Sequence, residues 1–484
     1  MTDPVSRGRR ARPWPSLVAL CLGFFLLLLD STIVAVAVPT IATRLDAAPA
    51  DAVWVNSAYL FAYAVPLLIA GRLGDRFGAR RIYLVGLVVF ILASLACGLA
   101  PDLLVLVIAR VVQGLGAALM TPQSLAIIRR TFPPRLLPRA LGVWGGVGGV
   151  AAASGPLLGG VLVQAAGWPA IFLVNVPLGI LVLVLVLVWV ARPEHGTARI
   201  PVFTSVASAV GVFAVVFAVH EAAALGWLAV VLGGAGVVIV ALAFGVQPRD
   251  SARALVPAAL VRSRGFVVAT VGATSASFIV GAALIPVMLH LQDERALTVG
   301  TATLALVPLG VVSAVTAPLA GAGLARWGAR PIACTGAIAL VASTLACALL
   351  AAVDGPVGLF AVVFAVFGFA NSFVWSPFAA AAITSVPPAL AGVASGAYNA
   401  TRQIGAVIGS AVAAAVMAAV GTSAALWTLG ATGIVAVSAA IVLPRRAGAA
   451  PRPGLAADSP TGPASVPVTE PSGRSLSIAV KETA

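Results

Sequence analysis

Charged side chains are scarce in this chain: Asp, Glu, Lys and Arg make up 9% of 484 residues, while hydrophobic residues make up 61%. A soluble domain carries roughly 25% charged residues, so the shortfall excludes a soluble globular protein and leaves a polytopic membrane protein. Lysine occurs once, at Lys481, and histidine three times, at His195, His220 and His290, with no spacing that would gather metal ligands. The four cysteines, Cys21, Cys97, Cys334 and Cys347, all fall in apolar stretches. A disulfide framework and a metal centre are therefore not expected, and the cysteines read as small core or lipid-facing residues. No glycine-rich Walker loop is present, so ATP is not the energy source and no cofactor is implied. The net charge of +14 would suit nucleic acid, but no basic run is interleaved with aromatics. Arginine gathered on one side of a membrane accounts for the charge instead.

What is present is a succession of apolar runs, most near the ~20 residues a helix needs to cross a bilayer. The first begins at Leu17, behind a polar segment 1–15, and continues past Asp30 to Val38 without a convincing cleavage site. It reads as an uncleaved first span rather than a signal peptide. Others follow at roughly 51–71, 82–100, 103–125, 139–163, 170–191, 203–221 and 226–246, then 266–290, 298–320, 332–352, 356–381, 391–420 and 424–443. That makes an all-α integral membrane protein of fourteen spans. With the amino terminus inside, Arg72, Arg76, Arg80, Arg81, Arg129, Arg130, Arg135, Arg139, Arg326, Arg330, Arg445 and Arg446 all fall on the cytoplasmic side. The outer loops then hold Arg44 and Arg295 against seven acids, so both termini are expected in the cytoplasm.

The segment Gly71-Arg72-Leu73-Gly74-Asp75-Arg76-Phe77-Gly78-Ala79-Arg80-Arg81 reads as a tight basic loop between two spans. Gly71, Arg76, Gly78, Ala79 and Arg80 recur 250 positions later as Gly321, Arg326, Gly328, Ala329 and Arg330. Basic glycine turns are common, but two copies in register point to an internal duplication, a frequent design of secondary transporters. The expected division is a cytoplasmic segment 1–15, a six-helix bundle 16–191, two inserted helices with a linker 192–265, a second six-helix bundle 266–443, and a disordered cytoplasmic tail 444–484.

A charge at mid-bilayer costs ~2.5–3.5 kcal/mol on insertion scales, and three fall there: Asp30, Arg110 and Arg402. Asp30 is the one intramembrane carboxylate. It can bind and release a proton as its surroundings change, and Arg110, which keeps its proton, can tune it. A static ion pair, or side chains snorkelling to an interface, stands as the other reading. Polar stripes at helical spacing follow: Asn56, Tyr59 and Tyr63; Arg110, Gln113, Gly114, Ala117 and Thr121; Asn371, Trp375 and Phe378; Asn399, Arg402 and Ala406. They suit either a water-filled path or ordinary interhelical hydrogen bonding. The fifth span carries Gly145, Gly146, Gly148 and Gly149, then Gly155, Pro156, Gly159 and Gly160. Small residues allow close packing, and Pro156 invites a kink.

These motifs together resemble the major facilitator superfamily, in particular its fourteen-helix drug:proton antiporter branch. The 71–81 segment is similar to the helix 2–3 signature, departing at Ala79 where a basic residue is frequent. Arg110-Val111-Val112-Gln113-Gly114 resembles the helix 4 signature, and Ala151–Gly160 resembles the antiporter signature of helix 5. Leu29-Asp30-Ser31-Thr32-Ile33-Val34 with Pro39 resembles the branch's first helix, and Trp168 with Ile171–Pro177 its entry to helix 6. The resemblance implies proton coupling at Asp30 and Arg110, and a cytoplasmic latch built from Gly71, Asp75, Arg76, Gly78 and Arg80. The second copy has Ala325 in place of the acid, so one latch is complete. It also implies a monomer that exchanges protons for a small organic molecule across the bacterial cytoplasmic membrane, an antibiotic or similar amphiphile. The expected cavity is lined by Asn56, Tyr59, Tyr63, Gln113, Asn371, Trp375, Asn399 and Arg402, which favours neutral or acidic cargo. A nutrient importer and a non-transporting sensor are the alternatives; no soluble segment is long enough for a signalling domain.

Overall fold

The computed structural model describes residues 12–52, 54–191, 202–221, 225–245, 254–297 and 299–444. Among them there is no strand; the chain is a succession of helices. The first half comprises α1 (Pro13–Arg44), α2 (Trp54–Ala64), α3 (Leu67–Phe77), α4 (Ala79–Gly98), α5 (Leu103–Thr131), α6 (Leu137–Ala166) and α7 (Asn175–Trp189). Then come α8 (Val202–His220) and α9 (Trp227–Gly245). The second half comprises α10 (Arg264–Val280), α11 (Val299–Trp327), α12 (Ala329–Ala352), α13 (Val357–Thr384), α14 (Ala391–Val420), α15 (Thr422–Thr432) and α16 (Ile434–Val442). The segments 192–201, 246–253 and 445–484, and residues 1–11, lie outside the described residues. So do the expected tail and most of the expected first segment.

Ten described helices are long and apolar enough to cross a membrane, or eleven if α2 and α3 form one bent span. The expected fourteen is not reached by this measure: α8 and α9 carry shorter apolar stretches, Phe203–Val219 and Trp227–Ala243, and α6 is not among the spans counted over the described residues. Leu92, Leu99, Leu104, Val161 and Ile180 are all exposed, the outward apolar surface that a lipid environment accepts and water does not.

Two expectations need correction. The run 51–71 is not one straight span: α2 and α3 meet at a 46° bend. Pro66, which caps α3, has no N–H to give the preceding turn and its ring crowds that turn. Nor is 71–81 a loop, since α3 stays helical through Phe77 and the reversal is left to Gly78. Basic side chains are favoured in the last turn of a helix, where the dipole is negative, and Arg76 sits there. Gly78 has φ 91°, and Gly328, its counterpart in the second half, has φ 86°. The two copies thus share a positive φ at this glycine as well as its place in the sequence repeat. Nothing lies within 4 Å of where a Cβ on Gly78 would be, so Gly78→Ala should act through backbone strain alone. A cost of about 1–3 kcal/mol is expected, checked as a lower melting temperature of the purified protein.

In the first half α1 lies along α6 and α7, and α5 along α2 and α4; in the second half α13 lies along α11 and α12, and α10 along α14 and α16. Contacts between halves run through α6 on α11 and α13, and α14 on α3 and α5. At one end of the second half, Thr422 donates to Glu294 Oε1 at 2.7 Å and His290 Nδ1 meets Oε2 at 2.6 Å. The Thr422 hydrogen bond, with a smaller contribution from His290, holds the Glu294 carboxyl below the usual carboxylate range.

Candidate functional site

Asp30, in the middle of α1, is fully buried, and three side chains reach it from two other helices. Arg110 Nη1 of α5 lies 2.6 Å from Oδ2. Gln113 Nε2, one helical turn along α5, donates to Oδ1 at 2.9 Å, and Asn175 Nδ2 at the start of α7 donates to the same oxygen at 2.7 Å. Arg110 is itself fixed: Nε donates to the Val55 carbonyl at 2.9 Å and Nη1 to Gln113 Oε1 at 2.6 Å. The Tyr59 ring lies over its guanidinium at 4.1 Å. Gln113 also donates to Ser94 Oγ of α4 at 2.7 Å. Burying two charges is costly unless both are paired and hydrogen-bonded; here the two charges are paired and share these hydrogen bonds, with Arg110 Nη2 left without a partner, and the network ties α1, α4, α5 and α7 together. Adding a proton to Asp30 would remove the charge that holds all three donors.

The spacing rule that put Tyr59 and Gln113 on an expected cavity face places them here instead, fully buried around Arg110. Tyr63, one turn on, is half-buried and its hydroxyl accepts from Thr121 at 3.2 Å. Asn56 Oδ1 is shielded and without a hydrogen-bond partner.

A second group forms in the other half. The Arg402 guanidinium lies 4.4 Å above the Trp375 ring, with Nη1 donating to Asn399 Oδ1 at 3.1 Å. Trp375 Nε1 donates to Asn371 Oδ1 at 2.7 Å. These four expected residues are brought together in the second half.

The third group joins the halves. Asp75 accepts from the backbone N–H of Gly392 (3.1 Å) and of Val393 (2.9 Å), the opening turn of α14. The first N–H groups of a helix have no partner within it and carry partial positive charge, so the carboxylate caps a helix in the opposite half. Arg130 sits 3.6 Å from the same carboxylate. Gly71 lies directly against this turn: a Cβ there would come within 2.4 Å of the Gly392 carbonyl oxygen. Of the other expected latch residues, Arg80 turns to its own half, donating to the Leu187 carbonyl at 3.0 Å, and Arg76 lies exposed beside Phe77. Arg72 reaches the carbonyls of Ala254 and Leu255 in the connecting segment.

In α6, Gly155 abuts α1 so closely that a Cβ would overlap Thr32 Oγ1, and Gly159 is buried, while Gly160 faces open space. The side chain of Pro156 lies outside the described residues; the helix itself runs unbroken from Leu137 to Ala166.

The Major Facilitator Superfamily model matches residues 20–410, with a second match over 266–479. This chain belongs to that superfamily. Within it, an MFS-type transporter of Mycobacterium tuberculosis is 40% identical over 84% of this chain and 70% of its own length. The tetracenomycin C resistance and export protein of Streptomyces glaucescens is 36% identical over 85% of this chain and 77% of its own. A solved proton:xylose symporter superposes with a TM-score of 0.64 at 16% identity, over 90% of this chain and 97% of its own. That likeness shows the shared facilitator fold alone.

Sequence reasoning did not assign Asn175 or Ser94 to this facilitator's buried network. The available signal was Asn175 itself, the one polar side chain in the apolar stretch Ile171–Val186. A polar residue inside a span is seldom idle.

Proposed function

We propose that this facilitator is a proton-coupled antiporter that exports a small, drug-like organic molecule by alternating access. The observation that carries the reading is the Asp30 network. It is a fully buried carboxylate whose three donors come from α5 and α7, so gain or loss of a proton must be felt by several helices at once. The export direction is supported by kinship with the tetracenomycin C export protein. In the proposed arrangement two six-helix bundles, 16–191 and 266–443, flank two inserted helices within 192–265, fourteen spans in all. Both termini face the cytoplasm and the protein acts as a monomer. Asp75, the start of α14 and the Gly71–Gly392 approach then form a cytoplasmic latch, closed here, which makes this the outward-facing arrangement. Asn56, Tyr63, Asn371, Trp375, Asn399 and Arg402 supply the cargo surface, and Gly155–Gly160 of α6 a close-packed surface against α1.

The cycle follows from charge. A proton entering from outside neutralises Asp30 and frees Arg110, Gln113 and Asn175. The halves can then part at the latch and re-form around it once the proton leaves to the cytoplasm with cargo bound.

Inside-out vesicles test this with tetracenomycin C as the first probe. An acidic interior should drive uptake into the vesicles, and nigericin should abolish it. Uptake indifferent to the gradient, or driven by an alkaline interior, would overturn proton-coupled export.

A further inference from the structure

Arg110 and Arg402 both lie deep within long helices, and of these two only Arg110 has a carboxylate partner among the described residues. Arg110 is paired with Asp30. Arg402 has no carboxylate within 4 Å among the described residues. It stands eleven residues beyond Ala391, about 16 Å along α14, so about halfway across a hydrocarbon core of ~30 Å. A guanidinium there without an anion is costly, yet its surroundings are built to hold it.

The plate beneath it is rigid. Trp375 lies under the guanidinium at 4.4 Å and is itself held by Asn371, whose Nδ2 donates to Ser313 Oγ at 3.4 Å. Asn399 Nδ2 donates to the Ser395 carbonyl at 2.9 Å, which turns its Oδ1 toward Arg402 Nη1. Arg402 Nε donates to Ser277 Oγ at 3.4 Å. Two of the five N–H groups of a guanidinium are thereby used. The rest lie along the Nη edge, the fork that takes a carboxylate through two parallel hydrogen bonds. The side chain is partly exposed rather than sealed. Tyr63 of the opposite half packs against a cluster that includes Ala400, two residues before Arg402 on α14, so this turn of α14 lies beside the divide between halves.

We propose that Arg402 is the anion subsite of the cargo site, and that the cargo is a planar aromatic molecule carrying one delocalised acidic group. The acidic group, a carboxylate, enolate or phenolate, completes the guanidinium fork and supplies the missing counter-ion. The aromatic framework continues the flat surface begun by Trp375 and met across the divide by Tyr63. The proposal deepens the export reading and rests on its placing of the cargo site.

The test uses full-length protein in lipid nanodiscs and a matched pair of probes, 2-naphthoate and 2-naphthamide, alike in shape and different in charge. Calorimetric titration should show the carboxylate bound at least about tenfold tighter than the amide, the preference a charge-assisted pair provides. Arg402→Gln should erase that preference, so that carboxylate and amide bind alike, with an unchanged far-ultraviolet circular dichroism spectrum and melting temperature showing that the variant is folded. Arg402→Lys should keep part of it, because a point charge replaces a fork. A wild type that binds neither probe, or binds both equally, overturns the proposal without any variant. So does an Arg402→Gln protein that keeps the preference. If the preference holds while vesicle uptake ignores the proton gradient, the anion subsite stands and proton coupling falls; the converse result removes the subsite alone.

Discussion

Asp30→Asn is expected to abolish uphill, proton-driven export while leaving exchange of labelled for unlabelled cargo without a gradient intact. Asparagine keeps the shape and one acceptor for Gln113 and Asn175, so helices α1, α5 and α7 can still meet. It cannot carry a proton in and out. It also leaves Arg110 buried without its anion, and removing one partner of a buried pair costs about 3–5 kcal/mol in stability. The double variant Asp30→Asn, Arg110→Gln should recover most of that loss and none of the transport, which separates an electrostatic injury from a coupling one. Thermal melting and gradient-driven uptake, measured side by side on the three proteins, give the comparison. Wild-type uphill export by Asp30→Asn would transfer the coupling role to another acid, with Glu221 the next to examine.

A comparable loss is expected from a single added side chain at the contact between halves. Gly71→Leu would drive carbon atoms into the Gly392 backbone, since even a Cβ at Gly71 falls 2.4 Å from that carbonyl oxygen. Backbone cannot yield as a flexible side chain can, so α3 and α14 should be held apart and transport should fall to background. Asp75→Asn is gentler, because the amide oxygen can still accept from one of the two N–H groups; it should shift the balance of states and slow turnover rather than stop it. Spin labels at positions 135 and 389, both exposed near this end, report the separation by pulsed electron resonance. Gly71→Leu should show the longer distance alone, and Asp75→Asn a mixture of two. A short distance retained by Gly71→Leu would mean that this contact is not what closes the protein.

Much of the membrane architecture was legible because apolar length is a one-dimensional property. The run expected at 391–420 coincides with α14, and Asp30 and Arg110 stood out because charges are rare among apolar residues. What could not be read was partnership across long separations. The acceptor at Asp75 and its donors at Gly392 and Val393 lie more than three hundred residues apart, and backbone N–H groups leave no mark in a sequence. Helical spacing groups Tyr59 with Asn56 and Tyr63 on one helix and Gln113 with Arg110 on another, but it cannot say whether such a face meets a cavity or a neighbouring helix. Here it meets Arg110 and Asp30. The 71–81 segment misled for another reason: glycine and arginine suit a turn, and they equally suit the last turns of a helix whose basic side chains reach toward water.

The lone guanidinium of Arg402 bears on energy supply as well as on recognition. An exchange that sends one anion outward and one proton inward moves two elementary charges in the same electrical sense. Each is worth about 2.3 kcal/mol per 100 mV of membrane voltage, so a bacterium at that potential would add roughly 4.6 kcal/mol to every turnover with no pH difference at all. A neutral cargo would draw on half of that. The same pump would then run with very different force on an ionised compound and on its uncharged analogue, even where both bind equally well.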